Sequence, residues 1–220
     1  MSATNNKIKS GAAESLVACL FEMAEANSNP VLQVINPDIP LEENKKYPPD
    51  LLQFSDSGWR AYYHCHPASR AGNHRFTGEH GHFHLFVQIK KEPAQWSHLA
   101  ALAMDNMGQP LGWFTVNHWV TGECWGSTDV LIDKLDNIPF LDFYKKEDRV
   151  TNYELVERWL LSFLALSIEK VKIILQQRDE NLKKKQSEHG ESDVKTDKDI
   201  YLLSEIPVNI STLLNIYEGG

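Results

Sequence analysis

The sequence predicts an α+β fold, in which an antiparallel sheet of about four strands carries helices packed on one face. Three observations support it. Apolar residues recur at helical spacing near both ends of the chain and at every second position between them. The alternating segments are joined by short connections, which favour antiparallel pairing because parallel strands need a crossover of about a dozen residues. Residues 151–185, which follow the strands, are apolar nearly all round in their middle, as expected of a helix buried against a sheet.

Length and composition bound the class of protein. The 220 residues suit one domain, and 42% of them are apolar, enough for a core. The net charge of −8 argues against nucleic acid or an anionic membrane as partner. The three cysteines form no disulfide framework, and the most apolar run, 159–168, is half the length of about 20 residues that crosses a bilayer. We therefore expect a cytoplasmic protein.

The pattern divides the chain into four parts. Residues 1–28 contain an N-terminal helix, 29–57 form an irregular strap with five prolines by residue 50, 58–184 form the histidine-rich core, and 185–220 are a polar linker and a docking tail. Within the core, period-two patterning predicts strands at 59–66, 81–89, 98–105 and 111–120. Helices follow, capped by Ser127 or Thr128 and by Thr151 or Asn152.

The segment GEHGHFHLF places a histidine at every second position of the second predicted strand. Side chains alternate along a strand, so His80, His82 and His84 share one face and the apolar residues between them share the other. In the first strand His64 and His66 also share a face. If the two strands are antiparallel neighbours, His82 lies opposite either His64 or His66, depending on the register.

These five histidines predict a transition-metal site on the sheet. Residues opposite each other, or two apart on a strand, can share one ion because N–metal distances are about 2.0–2.1 Å. The row from His80 to His84 spans roughly 13 Å, too far for one ion. We therefore expect His64, His66 and His82 as ligands, with His80 or His84 as a fourth. Imidazole nitrogens suit several transition metals, and zinc or iron is the expected cofactor.

Three charged residues near the cluster are candidates for chemistry. Glu79 precedes it and is predicted to act as a general base or as a ligand. Arg70 and Arg75 lie in the loop between the two strands, where they are expected to contact a small-molecule substrate or cofactor through paired hydrogen bonds. The sequence predicts a metal-dependent oxygenase or hydrolase, or a metal-binding protein without catalysis, and leaves that choice and the oligomeric state open.

A third reading is a non-enzymatic module that binds a cofactor or a partner. By alternation, Trp113 and Trp119 of the fourth strand fall on the histidine face with Tyr62, and aromatic residues are enriched at interfaces. The same alternation directs His118 toward the helices. His98, at the start of the third strand, is expected to support the ligands.

Two resemblances accompany these patterns. The string HGHFHLF resembles the histidine-triad nucleotide hydrolases and transferases, which implies His82 as a nucleophile on phosphate. Across residues 58–180, the segments YYHCHP, GEHGHFHLF and the run ending in WVTGECW resemble a proteobacterial family of unknown function. That resemblance implies a single-domain core and a bacterial, cytoplasmic origin.

Overall fold

The computed structural model describes residues 3–36, 38–42, 45–54, 58–65, 76–138, 152–190 and 193–218. Within them, six strands form one antiparallel sheet in the order in which they follow along the chain. The strands are β1 Tyr47–Gln53, β2 Trp59–Cys65, β3 Gly81–Lys90, β4 Gln95–Met104, β5 Pro110–Val116 and β6 Leu202–Pro207. The helices are α1 Ala3–Glu25, α2 His118–Thr121, α3 Thr128–Asp136, α4 Glu154–His189 and α5 Ile210–Glu218.

The α+β class is confirmed, and the described sheet has two strands more than the expected four. Both additional strands lie at the edges. β1 falls within the segment predicted as an irregular strap, and β6 falls within the predicted docking tail. Pro48 and Pro49 obscure β1 in the sequence, but proline is tolerated on an edge strand, where one side of the backbone forms no ladder.

α4 is buried on all sides in its middle, as its apolar pattern predicts. Trp159 to Leu166 are at most 5% exposed. On one side, the Trp113 indole of β5 donates a hydrogen bond to the Ser167 hydroxyl at 2.8 Å. On another, Ser162 donates to Ser15 of α1 at 3.0 Å. The helix therefore lies between the sheet and α1.

The other face of the sheet, on which the histidines lie, also carries buried apolar residues. Phe114 and Ala101 are fully buried there, and the Phe76 ring occupies the space beside the Cα of Gly112. The expected orientation of β5 is wrong. Trp113 points to the helices, whereas Phe114 lies opposite Ala101 on the histidine face. Because both faces are buried, the segment has no polar side from which its orientation can be deduced.

The helix ends agree with the sequence in part. Ser127 caps α3, accepting a hydrogen bond from the Val130 amide. α4 is preceded by Tyr153 and has no side-chain cap, so Asn152 does not cap it, while Thr151 lies outside the described residues. α4 continues to His189, into the segment predicted as linker. Among the described helices, none has the length and apolar character needed to cross a membrane.

Candidate functional site

The pairing of β2 with β3 decides the register that the sequence left open. His64 lies opposite His82, and Cys65 lies opposite Gly81. This is the first of the two expected registers. His66, Arg70 and Arg75 lie outside the described residues, so their predicted roles stay predictions.

Three imidazoles meet on the face turned away from α4, and we call His64, His82 and His84 the histidine cluster. Their ring centroids are 4.6 Å apart for His82 and His84, 5.6 Å for His64 and His82, and 6.3 Å for His64 and His84. Two imidazoles bound tetrahedrally to one ion have centroids about 5 Å apart, from N–metal distances of about 2.0–2.1 Å. The strands thus bring the three rings to separations that suit a shared ion.

Each ring of the cluster makes a hydrogen bond through Nδ1 to a group outside the cluster. His82 Nδ1 lies 2.9 Å from Oε1 of Glu79. His64 Nδ1 lies 3.2 Å from the backbone carbonyl oxygen of Lys45, to which it donates. His84 Nδ1 lies 3.0 Å from Nε2 of His98. A neutral imidazole that donates from Nδ1 carries its lone pair on Nε2, the atom that then can bind a metal.

The surroundings of the cluster are apolar and aromatic. His82 and Glu79 are 0% and 4% exposed. The Tyr62 ring lies 5.2 Å from His84 and stacks on Phe86 at 5.4 Å. Burial, with the charge of Glu123 adding to it, raises the pKa of Tyr62 to about 12, so its hydroxyl stays protonated near neutral pH. Surroundings of low polarity strengthen electrostatic interactions between the groups they enclose.

His98 contacts the cluster although strand alternation does not place it there. Burial, together with the nearby positive charge of Arg178, lowers the pKa of His98 to about 3, so its ring is neutral near pH 7. The sequence suggested a supporting role without a partner, and the structure identifies His84 as that partner. The hydrogen bond from His64 to the Lys45 carbonyl could not be predicted from the sequence, because every residue type has the same backbone acceptor.

His80 is separated from the cluster by its own hydrogen bond. It precedes β3, and its Nδ1 lies 2.7 Å from the hydroxyl of Tyr63, whose ring belongs to the helix-facing core. The two rings are nearly parallel, with centroids 6.1 Å apart. The three histidines of the triad-like string therefore do not form one row.

Gly81 permits this arrangement, and we predict that Gly81→Ala destabilises the fold. An added Cβ would lie 2.5 Å from the His64 carbonyl oxygen and 2.5 Å from the Tyr63 hydroxyl. Because one of these is backbone, we expect a loss of about 1–3 kcal/mol in the free energy of unfolding, measured by urea denaturation. The histidine-triad pattern expects an apolar side chain here, which this contact excludes.

Gly78→Ala is the matched control. No heavy atom lies within 4 Å of its added Cβ, but its φ is +83°, so it measures backbone strain without a steric clash. A Gly81→Ala protein as stable as the wild type would contradict the prediction.

The polar residues near the end of β5 lie outside the histidine cluster. Glu123 forms a 2.6 Å ion pair with Arg60, whose guanidinium lies 4.2 Å from the centre of the Trp96 ring. Cys124 is exposed. β5 ends before His118, which begins α2 half-buried, so strand alternation does not apply to it.

The aromatic docking surface is not assembled as expected. Trp113 is fully buried against α4, and Trp119 donates its indole N–H to the Ile200 carbonyl. Tyr62 alone of the three lies beside the cluster, and it is 9% exposed.

The ring nitrogens of the histidine cluster do not converge on one point. Across the part of the chain that the structure describes, no group of three or more His, Cys, Asp or Glu is arranged to hold a metal ion. The rings of His82 and His84 meet edge to face, with planes 83° apart.

Comparison with known proteins identifies a family. The profile of a family described as a domain of unknown function, DUF6969, matches residues 10–208. Neither the curated proteins nor the solved structures gave a match. The matched range includes all six described strands. It also includes the histidine cluster and its hydrogen-bond partners. The chain therefore belongs to the DUF6969 family.

Proposed function

We propose that the protein binds one transition-metal ion at the histidine cluster. One observation carries the proposal: His64, His82 and His84 each make an Nδ1 hydrogen bond to a group outside the cluster. Histidine ligands of metal ions almost always donate their second ring N–H to a carboxylate, a carbonyl or a comparable acceptor, which fixes the tautomer and increases the basicity of the ligating nitrogen.

Glu79 has a defined place in this proposal. Its carboxylate accepts from His82 and also lies 3.4 Å from the Phe76 amide, so both of its oxygens are engaged near the cluster. This geometry favours a role in orienting His82 over the predicted role as a general base. A buried carboxylate also offsets part of the charge that an ion would bring.

The donor set favours zinc or iron over calcium or magnesium, which prefer oxygen ligands. Three imidazoles leave a coordination position for water or substrate, an arrangement typical of catalytic rather than structural zinc. We therefore propose a metal-dependent enzyme, of hydrolase or oxygenase type, acting on a small molecule. Three cysteines that form no disulfide with one another support a reducing compartment such as a bacterial cytoplasm.

Metal content is the test of this proposal. Protein purified without an affinity tag is expected to hold about one zinc or iron ion per chain by elemental analysis, or to take one up after chelation and dialysis. Affinity is expected to fall as pH drops through about 6.5, because protonated imidazole does not bind metal. Well under one ion per chain, with no uptake of zinc or iron(II), would contradict it.

A second candidate is a metal-independent phosphoryl or nucleotidyl transferase. The buried pair of Glu79 and His82 favours it, since a carboxylate on Nδ1 makes Nε2 a better nucleophile. Labelled nucleotides incubated with chelated protein would then label His82. Activity that requires a metal, without such an adduct, excludes this candidate.

A further inference from the structure

A β-bulge in β4 delivers His98 to the histidine face. Leu85 lies opposite Ala100, but the next residue of β3, Phe86, lies opposite His98. Leu99 is therefore an extra residue in β4. Unbroken alternation along residues 101, 100, 99 and 98 would direct His98 toward the helices, and the bulge reverses that orientation.

The redirected ring contacts His84. The two nitrogens are 3.0 Å apart, and both rings are buried, at 3% and 9% exposure. The His98 ring also contacts the Phe86 ring, with planes 66° apart and centroids 5.3 Å apart. These contacts leave His98 little freedom to turn, so it presents Nε2 to His84 in a fixed direction.

The direction of this hydrogen bond decides whether His84 can bind metal through Nε2. If His84 donates from Nδ1, its lone pair is on Nε2. If His98 donates instead, His84 carries its proton on Nε2 and that atom is blocked. We propose that His98 is a positioning residue, which accepts the Nδ1 proton of His84 and so holds His84 in its metal-binding tautomer. This inference rests on the proposed function.

The acceptor role needs a neutral His98 ring. A neutral ring has one nitrogen that accepts, whereas a doubly protonated ring can only donate.

The test compares two substitutions that differ in hydrogen bonding. His98→Leu fills the site without an acceptor, whereas His98→Gln offers an amide oxygen to His84. Zinc affinity, measured by competition with a chromophoric chelator, is expected to fall about 10–100-fold in His98→Leu and to recover in His98→Gln. The visible spectrum of the cobalt(II)-loaded protein should shift in the leucine variant and return toward that of the wild type in the glutamine variant.

His118→Ala is the matched control, since its half-buried ring lies outside the cluster, 6.2 Å from Trp125. It should bind zinc as the wild type does. A His98→Leu protein with wild-type affinity would overturn the proposal, as would equal losses in the leucine and glutamine variants.

A metal-free measurement separates this inference from the proposed function. Long-range ¹⁵N–¹H correlation spectra of the chelated protein report which nitrogen of each histidine is protonated. We expect His84 to be protonated at Nδ1 in the wild type and to lose that preference in His98→Leu. A wild-type protein that binds no metal refutes the proposed function, and the spectrum still decides whether His98 sets the tautomer. Protonation at Nε2 of His84 overturns the inference.

Discussion

His82→Ala is expected to abolish metal binding, whereas His80→Ala is expected to leave it intact. His82 lies opposite His64 and has its ring centroid 4.6 Å from that of His84, so its loss leaves two ligands at most among the cluster. His80 instead bonds to Tyr63 on the other side of the sheet. Removing a hydrogen-bond partner of a ligand typically lowers metal affinity about 10–100-fold. We expect the zinc affinity of His82→Ala to fall by more than this, because a ligand itself is lost. Elemental analysis after dialysis measures this.

Glu79→Gln should give an intermediate loss, because an amide can still contact His82 but carries no charge. The opposite ranking, with His80→Ala losing the ion and His82→Ala keeping it, would refute the assignment of the cluster.

Burial reverses an expectation about stability that alternation alone suggests. If His82 lined an open pocket and His118 packed on the helices, His118→Ala would be the more destabilising change. The structure shows His82 fully buried and His118 half-buried at the start of α2. We therefore expect the larger loss of unfolding free energy, about 1–3 kcal/mol, in His82→Ala. His84→Ala provides a second variant, should His82→Ala fail to fold.

The sequence predicted β2 and β3 well because their two faces differ in chemistry. Phe83 and Leu85 alternate with His82 and His84, so the period itself assigns the faces. Register was reduced to two alternatives, and the pairing of His64 with His82 selects one. Alternation carries this information only where one set of side chains is visibly different from the other.

β5 and β4 show where the same reasoning fails. In LGWFTV, both Trp113 and Phe114 suit a buried face, and both faces are in fact buried. In β4, one extra residue at Leu99 changes the side on which His98 lies. A bulge depends on how two strands pair, and the sequence of a single strand does not encode it. The edge strand β6 was missed for a related reason, since it pairs with β5, which is distant along the chain. β1 was missed because Pro48 and Pro49 obscure its pattern.

Acid is expected to destabilise the protein through His98. The pKa of this ring is lowered to about 3 by burial and by Arg178, whereas an unfolded histidine has a pKa of about 6.5. As pH falls below about 6.5, the unfolded chain binds a proton that the folded chain does not. The stability present above that pH is therefore lost progressively until the folded ring also protonates near pH 3.

We expect His98 to account for a loss of about 1 kcal/mol per pH unit across most of this window, and His98→Gln to lack it because glutamine does not titrate. The measurement is the free energy of unfolding by urea for both metal-free proteins at several pH values between about 7 and 4. The difference between the two curves isolates His98 from the other histidines. The wild type should lose its stability advantage as pH falls, so the curves converge or cross. Parallel curves would show that folding leaves the pKa of His98 unchanged, which would contradict the lowering by burial.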